Sequence, residues 1–113
     1  MELTFLYSPG FAREWDRQRL NDLDLQALEQ TIAKAADAAP VTRGTGGLRK
    51  IRFAPPSRHT GKSGATRVGF AYFRSKAAII VVAMFSKNDA SNFTAAQRSE
   101  IAKWLKQIER SFI

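Results

Sequence analysis

The chain has 113 residues, 44% hydrophobic and 11% aromatic, with 18 Lys and Arg against 10 Asp and Glu for a net charge of +8. That length suits one domain with an apolar core, and so large a cationic surplus favours an anionic partner. Cysteine is absent, which excludes a disulfide framework or a cysteine zinc site and agrees with a reducing compartment.

The first residues, Met1-Glu2-Leu3-Thr4-Phe5-Leu6, lack the basic start and long apolar run of a secretion signal. Residues 2–7 alternate loosely and predict an edge strand, which Ser8-Pro9-Gly10 punctuates. Phe11 and Trp15, four apart, share a helical face. Leu25, Leu28, Ile32 and Ala35 predict a second helix, with Asp22 or Asp24 as its cap and Pro40 beyond its end. Both Trp15 and Trp104 read as core.

The middle of the chain predicts a sheet. Residues 48–53 alternate, and Lys50 and Arg52, two apart, share one strand face. Strands follow at about 66–73 and 78–85. The apolar run 77–85 is nine residues, against about 20 for a membrane-crossing helix, and reads as a central strand buried on both faces. The 54–64 loop is too long for a tight hairpin, and loops of that length are often functional. Thr94-Ala95-Ala96-Gln97 is a capping box opening a helix whose stripe is Ile101, Trp104, Leu105, Ile108 and Phe112. Asn92-Phe93-Thr94 matches a glycosylation sequon by chance, in the absence of a secretion signal. No repeat or linker interrupts the chain, so a single domain over 1–113, in the cytoplasm and away from membranes, is expected.

Charge is segregated along the chain. Residues 1–37 carry seven acids and four bases, residues 38–88 carry ten bases and no acid, and residues 89–113 carry three acids and four bases. Gly61-Lys62-Ser63 is not a phosphate-binding loop, because Pro56 stands where that motif needs glycine. Gly44-Thr45-Gly46-Gly47 precedes a strand, and Arg49 replaces the third glycine of a dinucleotide loop. His59 is the only histidine, and the acid-free middle offers no paired carboxylates for two-metal chemistry. No metal or other cofactor is expected.

A basic strand face supports three readings: a solvated surface, nucleic-acid binding, or catalysis on RNA. RNA carries its own nucleophile, the 2′-hydroxyl, and cleavage needs that group deprotonated, the phosphorane charge stabilised and the leaving oxygen protonated. Crowding by like charge favours the neutral, proton-accepting form of a lysine; Lys50, flanked by Arg49 and Arg52, is the candidate base. His59 reads as a surface loop histidine ahead of a catalytic acid, and Phe93 as core ahead of base stacking.

Three segments in this order, Gly44-Thr45-Gly46-Gly47-Leu48-Arg49-Lys50-Ile51-Arg52-Phe53, Gly61-Lys62-Ser63-Gly64 with Arg67-Val68, and Phe85-Ser86-Lys87-Asn88, resemble the HigB-like branch of RelE toxins in the RelE/ParE superfamily. The resemblance spans roughly residues 1–108, most securely 44–97. It implies an α+β fold: an N-terminal helical hairpin on a mainly antiparallel twisted sheet, with a C-terminal helix. It implies a toxin of a type II toxin–antitoxin system, an endoribonuclease (mRNA interferase) that cleaves mRNA in the ribosomal A site without metal. It also implies a cognate antitoxin, commonly a helix-turn-helix DNA-binding protein, through which alone the toxin meets operator DNA.

By the same resemblance Lys50 and Arg52 match the base and phosphate ligand, Arg67 a transition-state stabiliser, and Lys87 the group serving the leaving oxygen. Phe93 matches a base-stacking aromatic, and Lys62 a phosphate or ribosomal RNA contact. Arg49 and Arg58 join this RNA-binding set on charge and position. Phe93 stands where the family pattern has tyrosine and Lys87 where it has arginine, so a hydroxyl and a bidentate fork are lost. The alternatives are a ParE-like gyrase poison of the same fold, against which the Lys50, Arg52, Arg67 and Lys87 set counts, and a non-catalytic nucleic-acid- or ribosome-binding module.

Overall fold

The apolar run at 78–85 organises the molecule. The computed structural model describes residues 2–58, 66–85 and 93–112. In it β4 (Ala78–Phe85) lies between β1 (Thr4–Tyr7) and β3 (Thr66–Phe73), and β2 (Arg49–Phe53) flanks β3, for the order β1-β4-β3-β2. β1 runs parallel to β4, while the β4–β3 and β3–β2 pairs are antiparallel. Burial on both faces, expected for β4, holds over residues 78–81; residues 82–85 are partly exposed.

The sheet is covered on both faces. Helices α1 (Pro9–Arg17) and α2 (Asp22–Ala35) bring Phe11, Trp15, Leu28 and Ile32 onto Phe53, Val68, Phe70, Ile79 and Val81. Helix α3 (Ala95–Ser111) seals the other face, with Leu105 buried against Leu48, Ala71, Phe73 and Ile80, and Trp104, Ile108 and Phe112 around them. This is the expected α+β arrangement. Among the described residues no helix is long and apolar enough to cross a membrane.

Local chemistry explains the helix boundaries. The Ser8 hydroxyl caps α1 by accepting from Phe11 N–H at 3.0 Å, and Pro9 occupies the first turn, where its missing N–H costs nothing. α2 corrects a sequence expectation: its cap is Asn21, not Asp22 or Asp24. Asp24 sits at the third helical position and returns the bond, its carboxylate accepting from Asn21 N–H at 3.0 Å. Thr94 and Gln97 form the expected capping box on α3.

The glycine-rich stretch before β2 is structural. Thr45, fully buried, donates its hydroxyl to Thr42 O at 2.6 Å and accepts from Leu48 N–H at 3.0 Å. Gly46 has φ +72°, and a Cβ there would come within 3.2–3.3 Å of Ala102 on α3. Only glycine allows that left-handed turn to press so closely on the helix.

A register shift at Gly69/Phe70 was not expected. Gly69 pairs with Ala83 and Phe70 with Val81, which leaves Val82 as the extra residue of a bulge on β4. The Val82 carbonyl accepts the Ser8 hydroxyl at 2.5 Å, so the bulge also seats the start of α1. Alternation along β4 therefore reverses: Ile80 and the bulge residue Val82 face α3, whereas Met84 packs toward the helical hairpin after it. Phe85 is thereby turned to the α3 side.

Candidate functional site

The site is built on β2 and β3, on the sheet face that also carries α3. Along β2, Ile51 and Phe53 pack toward the helical hairpin, and Lys50 and Arg52 take the opposite face, in line with Leu48. Leu48 is buried, Lys50 half-buried and Arg52 exposed, so this row of side chains climbs out of the α3 core toward solvent.

Register gathers the cations. Arg52 lies opposite Arg67, and Lys50 lies opposite Gly69. Residues opposite one another in an antiparallel pair share a face, with Cβ atoms about 5 Å apart. Arg67 in turn lies opposite Phe85 on β4, and the Thr66 hydroxyl donates to Phe85 O at 3.2 Å, tying the two strand ends together. Among the described residues no ion pair reaches Arg52 or Arg67. Two arginines thus share one strand face on a segment free of acids, an arrangement of like charges that favours an anion between them.

Beside the cations lie two aromatic rings. The Lys50 Nζ sits over the Phe93 ring, 5.5 Å from its centroid, and Phe93 meets Phe85 edge to face at 5.5 Å and 73°. Gly69 makes room for Phe85, since a Cβ there would lie 2.8 Å from that ring and 3.2 Å from Leu48. Phe93 is half-buried and packs on the α3-side core, so its observed partners are Lys50, Phe85 and that core.

Two expected members lie elsewhere. Arg49 belongs to the other face of β2, and its Nη1 donates to Asp37 O at 3.2 Å and Ala39 O at 2.6 Å, closing the exit from α2. Arg58 sits in a short 3-10 turn (Pro56–Arg58) and donates from Nη2 to Gln18 O at 3.1 Å on the helical hairpin. Neither shares the Lys50–Arg52–Arg67 face. His59, Lys62 and Lys87 lie outside the described residues.

Asp24 anchors the start of the long loop. Its carboxylate accepts from Ser57 N–H at 3.0 Å and from the Ser57 hydroxyl at 2.7 Å, in addition to capping α2. Burial alone would raise its pKa. The Ser57 hydroxyl, the backbone N–H groups of Asn21 and Ser57, and the Arg58 charge outweigh that and hold it below the ordinary aspartate value. Local sequence marks neither Asp24 as a loop anchor nor Gly69 and Phe85 as site residues, because their partners lie far along the chain.

No protein-family model matches the sequence. Among solved structures, a mutant of the E. coli toxin RelE in the free state is similar at a TM-score of 0.53 and 16% identity, over 99% of this chain and 100% of that one. The intact E. coli RelBE toxin–antitoxin complex gives 0.51 and 13%, over 75% of this chain and 96% of that one. At these identities the similarity is one of fold, and it identifies the architecture as the RelE type.

Proposed function

We propose that this chain is a RelE-type toxin, an endoribonuclease that halts translation by cutting mRNA on the ribosome, held in check by a cognate antitoxin. The observation that carries the reading is the Arg52–Arg67 cross-strand pair with Lys50 beside it on the same face. A bridging phosphodiester relieves the repulsion in that pair, and each guanidinium can hold two of its oxygens.

The chemistry balances without a cofactor. Lys50 takes the proton of the 2′-hydroxyl. The 2′-oxygen bonds to phosphorus, Arg52 and Arg67 bear the added charge of the phosphorane, and the bond to the 5′-oxygen breaks. Lys87, as the ammonium, protonates that leaving oxygen. The products are a 2′,3′-cyclic phosphate and a 5′-hydroxyl.

The order of segments 44–53, 61–64, 67–68 and 85–88 supports the HigB-like branch within the fold. An antitoxin is the partner of the E. coli protein in the RelBE complex; here it would be a helix-turn-helix protein and the only route to operator DNA. A cysteine-free chain suits action beside ribosomes in the cytoplasm.

Expression without the antitoxin should arrest growth, and Lys50→Ala or Arg67→Ala should relieve the arrest with the fold intact. Primer extension on a translated reporter mRNA should map new 5′ ends within codons, absent from untranslated mRNA. Full toxicity of both variants would sink the site assignment. Intact mRNA accompanied by DNA breaks would instead identify a gyrase poison, and growth arrest with neither lesion a ribosome-binding module.

A further inference from the structure

The aromatic pair invites a role different from base stacking. We infer that Phe93, with Phe85 seated in the hollow at Gly69, is a positioning residue that carries the Lys50 side chain to its place beside Arg67 and Arg52. The inference rests on the ribonuclease reading of the face and assigns the two rings within it.

One general property of lysine and two observations converge. A lysine head group ends a four-carbon stem with several rotatable bonds, and it stays at one point only if something holds it. Lys50 Nζ lies over the Phe93 ring at 5.5 Å, where its N–H groups face the ring before it takes a proton and its charge does afterwards. With Lys50 over one face and Phe85 meeting it edge to face at 5.5 Å, the Phe93 ring is already engaged within the protein.

The second ring completes the device. Phe85 is opposite Arg67, yet its ring reaches over Gly69, the residue opposite Lys50. It can do so because β3 has no side chain at that point: a Cβ on Gly69 would stand 2.8 Å from the ring. The β4 bulge turns Phe85 to this face, and Gly69 leaves room for its ring, which meets Phe93 edge to face. Phe93 directly precedes the Thr94 cap, so the start of α3 and the site are joined through one ring.

The test separates position from chemistry. In the intact chain, the ε-methylene protons of Lys50 should resonate upfield of an exposed lysine through the Phe93 ring current. Phe93→Leu, which keeps apolar bulk, should return them to the exposed value, and Phe93→Tyr should not. In cleavage on programmed ribosomes, Phe93→Leu should lower kcat about tenfold with KM changed less than about threefold, and Phe93→Tyr should restore most of the loss. Added to Lys50→Ala, Phe93→Leu should cost little more, because the two act as a unit.

Gly69→Ala should resemble Phe93→Leu in both readouts. Should it fail to fold, Phe93→Leu decides alone. Lys50 resonances already at the exposed value would overturn the inference, as would additive losses in the double variant or a raised KM at unchanged kcat, the signature of a base-stacking platform. If the unaltered protein cuts no RNA, the ribonuclease reading falls, and the resonance comparison still decides whether Phe93 positions Lys50.

Discussion

Arg52 and Arg67 stand opposite each other in the β2–β3 ladder, two like charges on one face of the sheet. Such a pair costs the fold roughly 0.2–1 kcal/mol, and no acid between residues 38 and 88 offsets it. Arg52→Gln should therefore stabilise the chain by about that amount in urea denaturation at low salt, with the gain shrinking as salt screens the repulsion. The same variant should cut RNA more slowly. A substitution that raises stability while lowering activity is the mark of a binding face kept at the expense of the fold.

Asp24 gives a pH dependence of definite sign. Its folded pKa lies below the unfolded value of about 3.9. Its contribution is therefore fully present above the unfolded value and lost as pH falls through the folded one. Asp24→Asn should cost about 2 kcal/mol at neutral pH, because the amide cannot accept all the bonds now made by Asn21 and Ser57. Denaturation midpoints measured from pH 7 down to pH 2 should fall less steeply in the variant.

Glu29 runs the other way. The Tyr7 hydroxyl donates to its carboxylate, and partial burial raises its pKa above the ordinary glutamate value. Its contribution is fully present below the unfolded value of about 4.3 and declines as pH rises through the folded value. At neutral pH the charged form is a net cost, reduced by the solvent around it. Glu29→Gln keeps an acceptor for Tyr7 and should match or exceed the parent's stability at pH 7, by less than about 1 kcal/mol. At pH 4 the advantage should disappear.

Much of the fold was legible because local rules agreed with the tertiary outcome. The stripe from Ile101 to Phe112, the capping box at Thr94 and the apolar run at 78–85 each demand one element, and each formed it. The order of charges also showed that Lys50 and Arg52 share a face. What the sequence did not display was the bulge at Val82. Strict alternation would put Phe85 with Ile79 and Val81 under the helical hairpin, and one extra residue turns it to the cationic face instead. Asn21 caps α2 with Asp24 returning the bond one turn in, and the same Asp24 carboxylate reaches Ser57, thirty-three residues away. Partners that distant leave no periodic trace.

Arg49 separates charge from position. It adjoins Lys50 in sequence, but it lies on the opposite face and spends its guanidinium on the carbonyls of Asp37 and Ala39. A role set by charge alone would make Arg49→Ala as damaging to RNA cleavage as Lys50→Ala. The geometry predicts a different split. Arg49→Ala should lose about 1–2 kcal/mol of stability, because two carbonyls at the exit from α2 lose their donor. Per folded molecule it should cleave within about threefold of the parent rate, while Lys50→Ala should lose about a hundredfold or more. Thermal unfolding and single-turnover cleavage on the same preparations measure both quantities. A large activity loss for Arg49→Ala at undiminished stability would show that the RNA path crosses to the α2 side of the sheet.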